Sequence, residues 1–300
     1  MSADNCEAGT TYSCCASCGI AEGDGVKLKN CTACYLVRYC GVECQKEHRP
    51  KHKRACKKRA AELRDELLFK QPESSHHGDC PICCLPLSLD MEKSTMMWCC
   101  SKVICNGCHY ANLKREIEAN QERKCPFCRH PLPKSQAEGD KQRMKRIEAN
   151  DPAAIREVGL MRNKEGNCKN AFEYWTKAAE LGDVVSHYQL SRSYRDGEGV
   201  EKDKKKEVHH AEQAAICGHP EARNDLGIIE YKNGRHERAV KHWMIAAKLG
   251  LDESLANLKQ YIEHGMVSKE DFAATLRAHQ AAVHATKSPH RAVAESTLRR

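Results

Sequence analysis

The back half of the chain, residues 150–286, repeats one pattern of small and apolar positions. The sequence Ala178-Ala179-x2-Gly182 recurs as Ala214-Ala215-x2-Gly218 and as Ala246-Ala247-x2-Gly250, at offsets of 36 and 32 residues. Leucine keeps the same offsets, at Leu190, Leu226 and Leu258. Because small alanines let helices pack closely and glycine ends a helix, the pattern predicts stacked helix–turn–helix units.

The flanks of this array differ from it in composition. About four units fit from Asp151 to about Ala285, and the first and last are atypical, as the ends of a stack should be. The charged segment 134–149 predicts a connecting helix. The polar tail 287–300 and the N-terminal residues 1–14 predict disordered ends.

One loop of the array carries a more specific signal. The run Gly197-Glu198-Gly199-Val200, followed by Asp203, resembles that of Sel-one-like repeats, longer-looped relatives of tetratricopeptide repeats. Trp175 and Trp243 hold equivalent places, three residues before an alanine pair. The resemblance implies an all-α solenoid that presents a groove to a partner protein, and no catalytic constellation accompanies it.

Cysteine divides the chain in two. Of the 20 cysteines, 18 lie at or before Cys128. The N-terminus has neither the basic nor the apolar region of a signal peptide, and no run of about 18 apolar residues predicts a membrane span. An intracellular protein, cytoplasmic or nuclear, keeps its thiols reduced, so clustered cysteines there favour metal binding over disulfides.

Residues 15–56 contain eight candidate ligands in four pairs. The pairs are Cys15-x2-Cys18, Cys31-x2-Cys34, Cys40-x3-Cys44 and His52-x3-Cys56. An x2 spacing lets two thiolates meet one ion across a tight turn, and an x3 spacing places two ligands one helical turn apart. About 40 residues cannot bury enough apolar surface to fold unaided, so we expect two structural zinc ions to supply the missing free energy.

The run Tyr39-Cys40-Gly41-Val42-Glu43-Cys44-Gln45, with His52 and Cys56, resembles a MYND-type zinc finger. The resemblance implies interleaved sites: Cys15, Cys18, Cys40 and Cys44 on one zinc, and Cys31, Cys34, His52 and Cys56 on the other. Cys14 is an alternative to Cys15. MYND fingers bind short proline-containing peptides, but Arg49 stands where the family often has a tryptophan. A helical linker is expected over residues 57–79.

A second module spans residues 80–133. Its eight cysteines are Cys80, Cys83, Cys99, Cys100, Cys105, Cys108, Cys125 and Cys128. The frame Cys80-Pro81-Ile82-Cys83 and Cys125-Pro126-Phe127-Cys128 resembles an eight-cysteine RING finger more than a rubredoxin-like redox cluster. The resemblance implies one zinc on Cys80, Cys83, Cys105 and Cys108 and another on Cys99, Cys100, Cys125 and Cys128.

The second module departs from the family at one place. Lys102 occupies the usual histidine position, so the adjacent Cys99 and Cys100 must share an ion, with His109 or Cys84 as substitutes. The two modules together predict four zinc ions.

The RING resemblance implies a function and its site residues. A RING finger has no nucleophile; it positions a ubiquitin-loaded conjugating enzyme, which is catalysis by orientation. By that resemblance Ile82 and Pro126 contact the conjugating enzyme, and Arg129 bridges it to ubiquitin. The predicted protein is therefore a RING-type ubiquitin ligase that recruits its substrate through the repeats.

Two other functions stay open. One is a non-catalytic, zinc-dependent interaction scaffold, and the other is a transcriptional cofactor acting through the finger. A net charge of +8 and an aromatic content of 5% do not favour nucleic-acid binding. The predicted fold class is mixed: two small zinc-stabilised modules followed by an all-α Sel-one-like repeat solenoid.

Overall fold

The computed structural model describes residues 13–23 and 25–298, which form two compact units divided between Lys70 and Gln71. The predicted fold class is confirmed: small cysteine-rich modules precede an all-helical array. Most of the expected disordered segment 1–14 lies outside the described residues. Cys14, however, forms an isolated bridge to Ala21, so the ordered backbone begins before Cys15.

The first unit is a short hairpin followed by one long helix. Strands β1 (Lys29–Asn30) and β2 (Arg38–Tyr39) are antiparallel, and helix α1 runs over Val42–Leu68. The helix therefore begins inside the predicted finger and covers much of the predicted linker. The buried core has few aliphatic side chains, so its cysteines occupy much of the interior; its members are Cys15, Leu28, Cys31, Cys34, Val37 and Tyr39.

The second unit begins with the second cysteine module. Strands β3 (Ser94–Met97) and β4 (Lys102–Cys105) pair antiparallel, with Ser94 opposite Cys105, and helix α2 follows over Asn106–Glu118. Leu87, Met97 and Ile104 form the buried core together with three cysteines. The chain then enters a helix in the segment expected to connect module and array.

Ten helices complete the described part of the second unit. They are α3 (Gln136–Glu148), α4 (Pro152–Lys164), α5 (Cys168–Glu180), α6 (Val184–Asp196), α7 (Lys204–Ile216), α8 (Pro220–Lys232), α9 (His236–Lys248), α10 (Asp252–Glu263), α11 (Lys269–Ala285) and α12 (Pro289–Leu298). Aspartate side chains cap several N-termini; Asp151, for example, accepts hydrogen bonds from the backbone N–H groups of Ala153 and Ala154. Among the described residues, no helix is long and apolar enough to cross a membrane.

The repeated alanine pairs lie in the core of the array. Ala214, Ala215, Ala246 and Ala247 are fully buried. The glycine at position 199 of the loop motif is required for steric reasons. A Cβ on Gly199, which has φ +75°, would lie 2.3 Å from the carbonyl oxygen of Cys168. Only glycine fits a positive φ at so close a backbone approach.

A glycine–tryptophan contact recurs along the array. A Cβ on Gly159 would lie 2.5 Å from Nε1 of Trp175, and a Cβ on Gly227 would lie 2.5 Å from Nε1 of Trp243. Each glycine is in the middle of a helix, where it costs about 1 kcal/mol relative to alanine. The missing methyl groups make room for the two buried indoles.

The prediction of a disordered C-terminal tail over residues 287–300 was wrong for the described part of it. Residues 289–298 form α12, which packs on α2 of the second cysteine module and fully buries Ala294. Its local sequence is polar, and the contacts that hold it come from a loop about 200 residues earlier. The local pattern of hydrophobic residues therefore did not predict this helix.

Candidate metal centres

Sixteen side chains form four groups of four, and within each group all ligand atoms lie within 4.8 Å of one another. The groups are group one (Cys15, Cys18, Cys40, Cys44), group two (Cys31, Cys34, His52, Cys56), group three (Cys80, Cys83, Cys105, Cys108) and group four (Cys99, Cys100, Cys125, Cys128). The structure thus brings together the four sets that the two resemblances implied. In both modules the first pair of ligands meets the third pair, and the second meets the fourth.

Four of the five Cys-x2-Cys pairs lie on equivalent turns, and the fifth, Cys105 and Cys108, lies at the start of α2. In each turn the N–H one residue after the second cysteine donates to the carbonyl oxygen of the first cysteine, at 2.8–2.9 Å. The residue that donates has a positive φ in all four, and these residues are Gly19, Tyr35, Cys84 and Arg129. Three of them are not glycine, and such residues adopt this conformation only when their surroundings impose it.

The turn at Cys80–Cys83 explains why Cys84, considered above as a substitute ligand, is not part of a group. Cys84 is exposed and occupies the left-handed position of its turn, outside group three. His109 and Cys14 likewise belong to none of the four groups. Lys102 begins β4, and its ammonium lies 5.8 Å from the ring centroid of Phe127. The adjacent Cys99 and Cys100 both belong to group four.

In group two, helix α1 places the histidine and the last cysteine on one face. His52 Nε2 lies 3.2 Å from Cys34 Sγ, and Cys56 Sγ lies 3.8 Å from Cys31 Sγ. The His52 ring stacks on His48, whose Nδ1 is 3.1 Å from the Tyr39 hydroxyl. Burial and the nearby His48 lower the pKa of His52, which favours the neutral imidazole that a metal requires.

The distances fit a tetrahedral ion. Six sulfur–sulfur separations within the four groups lie between 3.3 and 3.9 Å, and all ligand atoms of a group lie within 4.8 Å of one another. Zinc–sulfur bonds of about 2.3 Å in a tetrahedron give ligand separations of about 3.8 Å. The donors are thiols and one imidazole, with no carboxylate in any group. This donor set suits zinc in closed, structural sites better than a hard cation or a catalytic metal.

The thiols also interfere with one another's ionisation. A hydrogen bond with Cys105 lowers the pKa of Cys80 to about 4, whereas burial raises the pKa of Cys108 in the same group to about 12. In group one, the hydrogen bond with Cys40 raises the pKa of Cys44 to about 12. Group three thus forms one thiolate readily and resists forming the next. A bound divalent cation offsets this resistance, because all the ligands can then be deprotonated.

The second module carries a groove beside group three. It has a volume of about 490 Å³ and contains all three predicted contact residues, Ile82, Pro126 and Arg129. Ile82 is 41% exposed, and Arg129 donates to Asn112 Oδ1 at 3.3 Å. Sequence reasoning missed two further residues that line this groove, Arg115 and Arg291. No local signal marks Arg291, because its contacts are distant along the chain.

A second groove, of about 560 Å³, lies along α1 in the first unit. Its lining includes Tyr39 and Val42 and the basic residues Arg49, Lys53 and Lys57. Val42 is 64% exposed. Arg49, which stands at the position of the family's frequent tryptophan, therefore lines this groove and belongs to none of the four ligand groups.

Comparison with known families agrees with this geometry. Residues 15–56 match the MYND finger. That range contains all eight side chains of groups one and two. Residues 154–183 and 184–219 match the Sel1 repeat, over helices α4 to α7. The chain therefore has a zinc-binding MYND finger at its N-terminal end and a Sel1 repeat solenoid behind it.

Similar solved structures come from repeat proteins. A Sel1 repeat protein from Oxalobacter formigenes is 23% identical over 50% of this chain and 66% of its own, with a TM-score of 0.44. The antigen c5321 of uropathogenic Escherichia coli, described as displaying an SLR fold, is 21% identical over 55% of this chain and 37% of its own, with a TM-score of 0.38. This chain thus spans less than two thirds of either protein. No curated protein matches it.

Proposed function

We propose that this protein is a zinc-dependent, RING-type ubiquitin ligase whose Sel1 repeats recruit the substrate. The MYND finger and the repeats indicate a protein-interaction role. The ligase proposal goes further and depends on one observation: Ile82, Pro126 and Arg129 line a single groove beside group three. Reduced thiols are required, so we place the protein in the cytoplasm or nucleus.

Four zinc ions per chain are part of this proposal, one for each group. Elemental analysis of the purified full-length chain tests it, and about four zinc ions are expected. A value near two would mean that the module at residues 80–133 does not bind zinc, and the ligase proposal would fail with it. Cys99→Ser should remove one ion, whereas Cys84→Ser, which changes a cysteine outside the four groups, should remove none.

The groove has the properties of a docking site for an apolar loop. Ile82 is partly exposed, although its two flanking cysteines are held in a group. Pro126, between the last pair of cysteines, lines the groove as well. Metal-bound loops that present apolar side chains outward are rigid, so little conformational entropy is lost when a partner binds. The proposed partner is a ubiquitin-conjugating enzyme loaded with ubiquitin.

Arg129 has a different role in the proposal. Its side chain is 52% exposed and extends from a turn whose backbone is fixed by the hydrogen bond to Cys125. Its guanidinium lies 3.7 Å from the buried carboxylate of Glu116 and also donates to Asn112. A guanidinium held at this edge can donate to two proteins at once. We assign it to ordering the bound ubiquitin.

Two variants separate these roles. Ile82→Ala should weaken conjugating-enzyme binding about tenfold or more, because an apolar anchor in a small interface contributes about 2 kcal/mol. Arg129→Ala should leave binding nearly intact and slow discharge of the ubiquitin thioester. Titration measures the first effect and a single-turnover assay the second. Discharge by Ile82→Ala as fast as by wild type would show that the assigned surface is wrong.

The scaffold is the competing proposal, and the same assay decides between them. If the wild-type protein discharges no conjugating enzyme in a broad panel, the protein is an interaction scaffold. In either case we assign the binding of a partner protein, which is the substrate if the protein is a ligase, to the Sel1 repeats. We also assign a short peptide to the groove of the MYND finger, where Arg49, Lys53 and Lys57 favour acidic residues in that peptide.

A further inference from the structure

Helix α12 returns to the second cysteine module and packs closely against it. A Cβ on Gly107, in the first turn of α2, would lie 2.9 Å from both the backbone nitrogen and Cγ of Arg291. Only a glycine at this place lets the two backbones approach so closely. A second link joins Lys93 Nζ to Glu295 Oε1 at 3.3 Å.

Arg291 is the centre of this contact. It is 8% exposed, and its guanidinium donates to the carbonyl oxygens of Pro86 at 2.6 Å, Leu85 at 3.1 Å and Thr286 at 2.7 Å. It also lies 3.4 Å from Cys83 Sγ, a member of group three. One side chain thus fixes the loop that follows Ile82 and Cys83. A guanidinium suits this role because its donors form a rigid, planar fork.

The groove beside group three is bounded by this helix. Ser288, His290 and Arg291 line the same groove as Ile82 and Pro126. With α12 in place, Ile82 is still 41% exposed. The helix therefore borders the groove and leaves Ile82 accessible. This geometry differs from that of a lid or a competing internal ligand.

The charges at the rim indicate what the groove accepts. Arg115 and Arg129 both line it, and both lie near one buried carboxylate, that of Glu116, at 3.9 and 3.7 Å. Two exposed guanidinium groups thus share one carboxylate, which leaves a positive rim around an apolar floor. Such a surface complements an apolar loop flanked by carboxylates or backbone carbonyls.

We propose that α12 is the second wall of the docking groove, with Arg291 as a positioning residue for the loop that carries Ile82 and with His290 in contact with the bound partner. The occupant is the apolar loop of a ubiquitin-conjugating enzyme, so this inference rests on the proposed ligase function. It extends that function, because partner choice then depends on the C-terminal helix as well as on the cysteine loops.

Three variants of the full-length chain test the inference against a matched control. Arg291→Ala removes the donors to the loop, and Arg291→Lys retains the charge with a single donor group. His290→Ala changes an exposed side chain in the groove that the helix does not need for packing. Val293→Ala, 52% exposed on the same helix, is the control. Each is titrated with a conjugating enzyme that wild type binds, and zinc content and single-turnover discharge at saturation are measured.

We expect Arg291→Ala to raise the Kd roughly tenfold, with wild-type zinc content and a discharge rate at saturation close to that of wild type. The Kd of Arg291→Lys should lie between those of wild type and Arg291→Ala, and His290→Ala should raise the Kd several-fold. Val293→Ala should match wild type. This split between Kd and rate distinguishes loop positioning from the role assigned to Arg129.

Other results overturn the inference. An unchanged Kd in Arg291→Ala, with hydrogen exchange showing α12 released, would mean that the helix takes no part in docking. Tighter binding would make α12 a competitor of the partner. Loss of zinc would make Arg291 a support for group three alone. If wild type binds no conjugating enzyme, the proposed ligase function itself fails; equal binding by wild type and all variants refutes only the present inference.

Discussion

The core of the MYND finger and the core of the repeat array differ in composition. Three of the six buried residues in the finger's core are cysteines, and none of the seven in the array core around Trp243 is. The finger has too little apolar surface to fold by burial alone, whereas each array helix buries one face on its neighbour. Loss of metal and loss of packing should therefore affect different parts of the chain.

Metal removal should have the largest effect. A strong chelator should abolish hydrogen-exchange protection over residues 28–56 and 80–132 and leave it over residues 152–263. The reason is that each structural zinc contributes on the order of 10 kcal/mol to its module. Exchange measured by mass spectrometry on the full-length chain checks this, and added zinc should restore protection. Simultaneous loss of protection in the array would mean that its folding also depends on the metal.

Removal of one array side chain should have the next largest effect. Trp243 is 2% exposed, and its ring centroid lies 5.1 Å from that of Tyr261. Trp243→Ala should lower the free energy of unfolding of the array by about 3–5 kcal/mol, because it leaves a cavity. Urea unfolding measures this, with Leu181→Ala as the control, since Leu181 is 45% exposed. Zinc content should not change, and a fall would contradict the separation of the two regions.

Acid should have a smaller, graded effect through a histidine that is neither a ligand nor in the alanine core. Burial lowers the pKa of His77 to about 4; Glu221 opposes this shift, and His219 and Arg156 add to it. The unfolded chain takes up this proton near pH 6.5 and the folded chain only near pH 4, so stability falls as the pH falls through that window. The loss is at most about 1.4 kcal/mol per pH unit.

The variant His77→Gln removes this titration. Its unfolding midpoint should fall less than that of wild type between pH 7 and pH 5, as measured by thermal unfolding at both values. Acid also protonates the thiols and releases metal, but it does so in both proteins, so the difference between them reports on His77. Equal pH dependence in the two proteins would mean that the folded state binds this proton as readily as the unfolded chain.

The two regions also differ in how far their sequences predicted them. Cysteine spacing was informative because a turn with an x2 pair and a helix with an x3 pair fix ligand distances locally. The alanine pairs and the loop around Gly199 were informative because each repeat is a local unit that contacts its neighbours. Both signals operate within about 40 residues of chain.

Other features depend on contacts that no local pattern encodes. In the sequence, Gly159 and Gly227 are residues of low helix propensity inside helices, and only the structure shows the indoles packed against them. Helix α12 has a polar sequence and was mistaken for a disordered tail. Its position depends on Gly107 and Arg291, which are far apart in the chain and carry no mutual signal in a single sequence.

The contact between Arg291 and Pro86 spans 205 residues, and that separation has a consequence for biosynthesis. A ribosome adds about 5–20 residues per second, so roughly 10 to 40 s pass between synthesis of the two partners. The cysteine loops can bind metal in that interval, before helix α12, which borders the groove, has been synthesised. A message truncated before the codon for Ser288 would therefore yield a metal-loaded protein with an unfinished docking surface.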